Sequence, residues 1–264
     1  MTIAEKDVQE KSDHLLPLRV STVDQMIEAS GLERGSTLLL SGGCGSGKTI
    51  FAMQSAYNAA LNGERTLYLT IEESNEKIKR HMKNSFNWDI DSLEKKGMMA
   101  VKEINSIEFL SSLENCMKEA EIKQAIYGDI NITPAQLFIF GKTIDLPFKP
   151  DRIIVDSISA LAAMFKDKDH YRLFLKALVD TLNKNNSLNI LINETEHEPI
   201  LYNKLGVEEF LVDGVIGLYN IRKGELRRRA IEVVKLRSSD HTKEMVPYTI
   251  GRDGIRILRG ERVY

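Results

Sequence analysis

Apolar runs alternate with segments of helical spacing along most of the chain. Four of these runs are uninterrupted, which is typical of strands that are buried on both faces of a sheet. They lie at 37–41, 66–71, 152–156 and 188–192. Helices are predicted at 21–29, 48–61, 73–83, 91–96 and 107–119 and through the apolar positions of 171–182, with a further strand at 98–102. Strands and helices that alternate in this order predict an α/β domain with a mainly parallel sheet flanked by helices.

The last third of the chain has a different pattern. Short apolar runs at 214–218, 230–234 and 247–250 are separated by turn residues, which predicts hairpins that extend the sheet in an antiparallel manner. The segment 122–149 has no clear period and contains two prolines, so we expect either an inserted surface element or a disordered loop. Residues 1–16 read as a polar leader, and the predicted domain covers 17–264.

Composition narrows the class of protein. The 264 residues carry 36 basic and 38 acidic side chains and a net charge of −2. The overall charge therefore does not indicate a polyanionic partner, and whether the protein binds nucleic acid stays open. The two cysteines, Cys44 and Cys116, do not make a disulfide framework and favour a reducing compartment. No window approaches the roughly 20 apolar residues of a membrane span, and the N-terminus is not a signal peptide. We expect a cytoplasmic protein without a membrane span.

A glycine-rich pattern follows the first buried run directly. Residues 42–49 form a complete GxxxxGK[ST] motif between a predicted strand and a predicted helix. In such a loop the backbone N–H groups converge on phosphate oxygens, the lysine lies near the β- and γ-phosphates, and the threonine hydroxyl binds Mg²⁺. The predicted contacts of a nucleotide are Gly42, Gly43, Gly45, Ser46, Gly47, Lys48, Thr49 and Ile50, with Thr49 also a metal ligand.

Acidic residues follow two of the other buried runs. Asp156 ends the run at 152–156, where a second ligand for Mg²⁺ belongs, although it could instead only cap the next helix. Glu72 and Glu73 come just after the run at 66–71, beside the expected phosphate position, which suits a base for an attacking water. Two glutamates that open a helix are equally favoured by the helix dipole, so the pattern leaves both interpretations open.

Basic residues concentrate near the end of the chain, at 222–229 and again at 235–241. Such residues would reach phosphates, either on nucleic acid or on a nucleotide held by a neighbouring subunit. A solvated hairpin explains them equally well. The histidines are scattered without ligand spacing, so we expect no metal other than Mg²⁺ with the nucleotide.

Several of these segments together resemble the KaiC branch of the RecA-type ATPases. The similarity runs from about residue 19 to residue 257. It includes the phosphate loop, the elements at 71–74, 85–89 and 152–157, and a series of matching positions from 207 to 241. That late series is specific to the group, whereas a phosphate loop alone is shared by unrelated NTPases.

This resemblance implies a RecA-like P-loop NTPase core, ATP as the nucleotide, and hexameric rings with ATP between subunits. It also implies that Glu72 is the catalytic base, that Glu73 is its partner, and that Ser85 contacts the nucleotide. ATP would be reached across the interface from the adjacent protomer by Lys235, Leu236, Arg237, Ser239 and His241. The expected protein is a Mg²⁺-dependent ATPase that acts as a homo-oligomer in a regulatory or signalling role, with a further, unidentified protein partner.

The chain also departs from the family pattern. Cys44 stands where proline is more common, and Glu209 and Phe210 stand where the two-domain clock member carries its phosphorylated hydroxyl pair. Kinase activity of that kind and a clock role are therefore not expected. Two alternatives are an ATP-gated module that binds a protein partner with little hydrolysis and a recombinase-like ATPase that binds DNA. The intact glutamate pair argues against the ATP-gated module, because a protein that only binds ATP without hydrolysing it can lose its catalytic base.

Overall fold

The computed structural model describes residues 15–104, 136–139, 142–163, 165, 167–195 and 206–263. The helix predicted at 107–119 and the first part of the segment 122–149 lie outside these residues. Of the predicted leader, Leu15 and Leu16 are described. The domain boundaries and the proposed insertion therefore stay predictions.

Among the described residues, helices lie between most of the successive parallel strands of the sheet, as the apolar pattern predicts. The strands are β1 (Leu15–Leu16), β2 (Leu32–Glu33), β3 (Thr37–Gly42), β4 (Thr66–Thr70), β5 (Met99–Glu103), β6 (Gln136–Ile139), β7 (Lys142–Asp145), β8 (Arg152–Asp156), β9 (Leu188–Glu194), β10 (Gly214–Lys223), β11 (Leu226–Leu236), β12 (Val246–Gly251) and β13 (Gly254–Ile257). The helices are α1 (Lys48–Leu61), α2 (Asn75–Phe86), α3 (Ile90–Lys95), α4 (Ile158–Ala162), α5 (Lys168–Lys184) and α6 (Val207–Leu211). Among the described residues, no helix has the length and apolar character needed to cross a membrane.

Nine strands form one mixed sheet in the order β13-β12-β11-β10-β3-β9-β8-β4-β5. Neighbours from β10 to β5 are parallel, and the strands from β11 to β13 add in an antiparallel manner. The predicted parallel sheet with an antiparallel C-terminal extension is confirmed. The strand β10 belongs to both parts, since it pairs parallel with β3 and antiparallel with β11.

Apolar side chains cover the sheet on both faces. Leu38 and Leu40 of β3 pack in the cluster that includes Phe51 of α1, whereas Leu39 packs on the opposite face with Leu175 of α5. This double burial explains why the parallel strands read as continuous apolar runs. Because these strands are parallel, their carboxyl ends meet at one edge, which is where ligands bind in open α/β sheets.

The prediction of a helix at 21–29 is wrong. It contains a single 3₁₀ turn, Val23–Met26. The chain leaves the helical path at Ile27, which forms a β-bridge with His241. A tertiary contact of high sequence separation therefore ends the helix that the local pattern favoured.

The start of α2 decides where the glutamate pair lies. Ser74 takes the N-cap position and accepts a hydrogen bond from the backbone N–H of Lys77 at 3.4 Å. The helix therefore begins two residues later than predicted, at Asn75. Glu72 and Glu73 lie outside it, in the loop that follows β4.

Candidate nucleotide-binding site

The phosphate loop joins the carboxyl end of β3 to the first turn of α1, as the motif predicts. Gly47 caps α1 with a φ of 96°, a left-handed conformation that favours glycine. Gly42 has no space for a side chain, because an added Cβ would lie 2.2 Å from the carbonyl oxygen of Leu218. Glycine is thus required at both ends of the loop for reasons of backbone geometry and packing.

Lys48 lies at the centre of the site and is largely buried. Its Nζ donates a hydrogen bond to the carbonyl oxygen of Gly43 at 3.0 Å and lies 3.5 Å from Oε1 of Glu194. Glu194 ends β9, directly opposite Gly42 in the parallel register. It was not among the predicted site residues. The signal that could have found it is its position at the end of an apolar strand, the same signal that identified Asp156.

Asp156 and Thr49, which were predicted as ligands of Mg²⁺, are in contact with each other. The Thr49 hydroxyl hydrogen-bonds to the Asp156 carboxylate, and the Tyr68 hydroxyl donates to Oδ2 of Asp156 at 2.5 Å. Burial raises the pKa of Asp156, while the hydrogen bonds from Tyr68 and Thr49 oppose that rise. Burial and the neighbouring Asp156 charge also raise the pKa of Tyr68 well above its usual value, so Tyr68 stays a donor.

These oxygens fit Mg²⁺ bound together with a nucleotide. The described residues contain no cluster of three or more His, Cys, Asp or Glu side chains suited to hold a metal alone. Mg²⁺ is usually held by one or two protein oxygens together with phosphates and water, so a hydroxyl and a buried carboxylate are an appropriate donor set. The fully buried Ser46 hydroxyl in the loop has no hydrogen-bond partner. An unpaired donor at this position also suits a loop that binds an anionic ligand.

The two glutamates are held by different neighbours. The Ser157 hydroxyl donates a short hydrogen bond to Oε1 of Glu72. Glu73 forms an ion pair with Lys77, with 2.8 Å between Oε1 and Nζ, and its backbone is fixed by the Thr70 hydroxyl. Glu72 is therefore the carboxylate whose hydrogen bond comes from the residue after β8, next to Asp156.

A cavity of about 260 Å³ joins these groups. Its lining includes Gly45, Gly47, Lys48, Thr49, Ile50, Glu72, Glu73, His81, Met82, Asp156, Ser157, Ile192 and Glu194. The structure thus brings together the loop, the glutamate pair and Asp156, which are separated by up to about a hundred residues of sequence. Ser85 is not in this lining and lies on the exposed face of α2, about one turn beyond Met82.

The C-terminal strands support the loop from the side. The Tyr248 hydroxyl of β12 donates a short hydrogen bond to the carbonyl oxygen of Ser46. The Asn220 side-chain amide of β10 donates to the carbonyl oxygen of Cys44 at 3.0 Å. Sequence reasoning missed both residues, and no local motif points to them because the contacts depend on how the antiparallel extension packs.

The basic segment 235–241 lies away from this cavity. In the sheet register, Lys235 aligns with Val215 and hence with Leu39, three residues before the end of β3 at Gly42, where the phosphate loop follows. Three residues of strand correspond to about 10 Å, and the chain beyond β11 leads further from the loop. Within one protomer, these residues are therefore not part of the same cavity.

The residues of this segment have contacts of their own. Lys235 Nζ donates to the carbonyl oxygens of Glu209 and Val212 at 2.9 and 2.8 Å. Arg237 donates from Nη2 to the carbonyl oxygen of Phe210 at 3.0 Å. Ser239 accepts a hydrogen bond from the Ala29 N–H at 3.1 Å. Burial is the main cause of a lowered pKa at Lys235, and the Arg237 charge adds to it.

Comparison with known proteins identifies the family to which this chain belongs. A family model described as "ATPase: KaiC" matches residues 16–262. The chain belongs to the KaiC ATPase family. It is 33% identical over 236 residues to the circadian clock oscillator protein KaiC of Parathermosynechococcus lividus, which covers 88% of this chain and 40% of that protein. It is 29% identical over 229 residues to the circadian clock protein KaiC3 of a Synechocystis species, which covers 86% of this chain and 42% of that protein.

The chain therefore spans less than half the length of the curated KaiC relatives that it matches. A solved structure agrees more closely in size. The crystal structure of a KaiC-like protein from the archaeon Pyrococcus horikoshii OT3 matches with a TM-score of 0.70 and 28% identity, covering 92% of this chain and 98% of that one. The predicted KaiC-like membership and RecA-like ATPase fold are confirmed, and family and phosphate loop together indicate that the chain binds a nucleotide.

Proposed function

We propose that this KaiC-family chain binds ATP with Mg²⁺ and hydrolyses it as a homo-oligomeric ring, in a regulatory or signalling role. The observation that carries the proposal is the cavity of about 260 Å³ in which the phosphate loop, the Thr49–Asp156 pair and the glutamate pair converge. A phosphate-binding lysine, a metal-binding carboxylate and a candidate base are the parts that phosphoryl transfer to water requires. We also propose a cytoplasmic location, which the free, exposed thiol of Cys44 supports.

The proposed roles rest on the phosphate-loop motif and the family resemblance, and the contacts of each residue support them. Lys48 would bind the β- and γ-phosphates, and Asp156 and Thr49 would hold the cation. Mg²⁺, when bound, would supply positive charge that reduces the repulsion of an incoming nucleophile. Glu72 would accept the proton of the attacking water, with Ser157 keeping its carboxylate oriented.

The assembly forms the second part of the proposal. Lys235, Leu236, Arg237, Ser239 and His241 would contact ATP bound by the adjacent protomer, and Ser85 would contact ATP from its own helix. The position of the 235–241 segment at the opposite end of the sheet from its own loop supports action across an interface. A homo-oligomer in which one protomer supplies the loop and its neighbour supplies Arg237 would complete each site.

The hydrolytic role is tested with the double variant Glu72→Gln, Glu73→Gln. We expect turnover to fall by about 100-fold or more, because a general base is lost, while ATP affinity is largely kept. The matched control is Glu76→Gln, which removes one negative charge from the exposed face of α2 outside the cavity lining. Normal turnover in the double variant would contradict the assignment. Tight ATP binding without turnover in the native chain would instead favour an ATP-gated binding module.

The composite site is tested by mixing two inactive chains. Arg237→Ala keeps its loop and Lys48→Ala keeps its Arg237, so a mixed ring contains some complete sites and should regain activity. A chain with both substitutions, mixed with Lys48→Ala, is the control, because no site can then have an intact loop. Absence of regained activity at every mixing ratio, or a monomeric mass with and without Mg²⁺ and ATP, would overturn the interface proposal.

A further inference from the structure

The proposed mechanism gives no role to Glu194, although this carboxylate lies next to Lys48, the lysine that would bind phosphate. Its Oε1 lies 3.5 Å from Nζ of Lys48. The Lys48 side chain is 9% exposed and the Glu194 side chain is 47% exposed. The ammonium group is therefore enclosed, whereas the carboxylate that balances it stands at the mouth of the cavity.

The backbone of Glu194 is fixed more firmly than its side chain. Its N–H donates to the Ser159 hydroxyl at 2.5 Å, and β9 pairs Glu194 with Gly42 of β3. Among the described residues, the ion pair that the Glu194 carboxylate forms is the one with Lys48. The carboxylate can therefore leave Lys48 by rotating its own side chain, without any change in the sheet.

The other carboxylates of the cavity have different partners. Glu72 accepts from Ser157, Glu73 pairs with Lys77, and Asp156 accepts from Tyr68 and Thr49. Glu194 alone among these four is paired with Lys48. The Glu194 carboxylate therefore contacts the ammonium group that a phosphate would also contact, whereas the other three carboxylates are held by their own partners.

We infer that Glu194 is an internal competitor for Lys48 and thereby sets the affinity and phosphate preference of the nucleotide site. This inference rests on the proposed nucleotide site and adds a specificity-determining residue to it. Bound phosphate competes with the Glu194 carboxylate for the Lys48 ammonium, and the negative charge of Glu194 stays at the cavity mouth. Because the lysine of such a loop lies near the β- and γ-phosphates, the repulsion is greater for a triphosphate than for a diphosphate.

The test is the affinity of Glu194→Gln for nucleotide, measured by isothermal titration calorimetry with Mg·ATP and with Mg·ADP. Glutamine keeps the size and polarity of the side chain and removes its charge. We expect the Kd for Mg·ATP to fall roughly threefold to tenfold, as for the loss of one partly screened charge near a phosphate, and the Kd for Mg·ADP to fall less. The difference between variant and native chain should shrink at high salt, because the charge is half-exposed.

Two further variants separate charge from structure. Glu194→Asp keeps the charge but shortens the side chain by one methylene, so the contact with Lys48 is weakened and the repulsion stays; its Kd should lie between those of the native chain and Glu194→Gln. Glu76→Gln makes the same change in net charge outside the cavity and should leave both Kd values unchanged. A thermal melt without nucleotide checks that each variant folds.

An unchanged or higher Kd for Mg·ATP in folded Glu194→Gln overturns the inference, since the carboxylate would then be neutral or a favourable contact. An equal gain for Mg·ATP and Mg·ADP overturns the phosphate preference. These outcomes are distinct from a failure of the proposed function. If the native chain does not bind Mg·ATP, the nucleotide site itself is wrong, whereas native binding without tightening in the variant rejects only the role of Glu194.

Discussion

Arg152, the first residue of β8, is fully buried and depends on Glu64 for its counter-charge. Its Nη2 donates to Oε2 of Glu64 at 2.7 Å and to the carbonyl oxygen of Pro17 at 2.7 Å, and its Nη1 donates to the carbonyl oxygen of Leu18 at 3.2 Å. Burial lowers the pKa of Arg152, and the Glu64 charge opposes that fall. Arg152 thereby ties the strand that carries Asp156 to the segment that precedes the sheet.

We predict that Glu64→Ala destabilises the protein by about 3 to 5 kcal/mol, because it leaves a buried guanidinium without its ion-pair partner. The Glu64 side chain is 9% exposed, so water has little access to replace the lost carboxylate. Glu64 also pairs with the half-exposed Arg19 at 2.6 Å, which adds less because that guanidinium can turn to solvent. Glu64→Gln keeps an acceptor for Arg152 and should fall between the native protein and Glu64→Ala.

The assay is equilibrium unfolding in urea without nucleotide or Mg²⁺, followed by tryptophan fluorescence. Trp88 is the only tryptophan. It is buried and stacks on Tyr57 and Phe86, with ring centroids 5.6 and 4.7 Å away, so its emission reports loss of the core. With an m-value of about 3 kcal/mol per M, the loss corresponds to a shift in midpoint of about 1 to 1.7 M.

Glu244→Ala is the matched control for this prediction, since it removes the same side chain from an exposed position. Its unfolding midpoint should equal that of the native protein. A loss of less than about 1 kcal/mol in Glu64→Ala would refute the reasoning, because it would mean that the buried Arg152 charge does not need its partner.

Three other outcomes are expected. Gly42→Ala should lower stability by about 1 to 3 kcal/mol and weaken nucleotide binding, because its Cβ would overlap the Leu218 carbonyl oxygen; Gly251→Ala, which has open space, should be tolerated in a thermal melt. Tyr248→Phe should cost about 1 to 3 kcal/mol, because the Ser46 carbonyl loses its buried donor, and a calorimetric Kd for ATP should rise. Chelation of Mg²⁺ by EDTA should stop phosphate release, and excess Mg²⁺ should restore it; hydrolysis that continues in EDTA would contradict the metal assignment.

The elements that were predicted correctly are those with a strong local signal. The strands β3, β4, β8 and β9 read as continuous apolar runs because both faces of each are covered, and α1 was predicted with its observed bounds. The phosphate loop was recognisable for the same reason, since its glycines, lysine and threonine act through the backbone geometry of a single turn. Asp156 and the glutamate pair were placed at the correct edge because parallel strands end together.

The predictions that failed or were incomplete concern elements whose structure is set by contacts with residues distant in the sequence. The helix expected at 21–29 is cut short by the bridge between Ile27 and His241. β10 and β11 are longer than their apolar runs, because the hairpin extends beyond the strands that flank it. β13 was missed, since its pairing with β12 rather than its own pattern makes it a strand.

Local sequence determined that this chain has a phosphate loop between a buried strand and a helix, and that acidic residues lie at or just after the ends of two other buried strands. Those features follow from torsional freedom, hydrophobic period and the alignment of parallel strands, all of which are encoded within a few residues. Tertiary structure alone decided that Tyr248 supports the loop, that Glu194 pairs with Lys48, and that the 235–241 segment lies at the opposite end of the sheet. These contacts join residues separated by more than a hundred positions, and they arise only when the antiparallel extension and β9 pack on either side of β3.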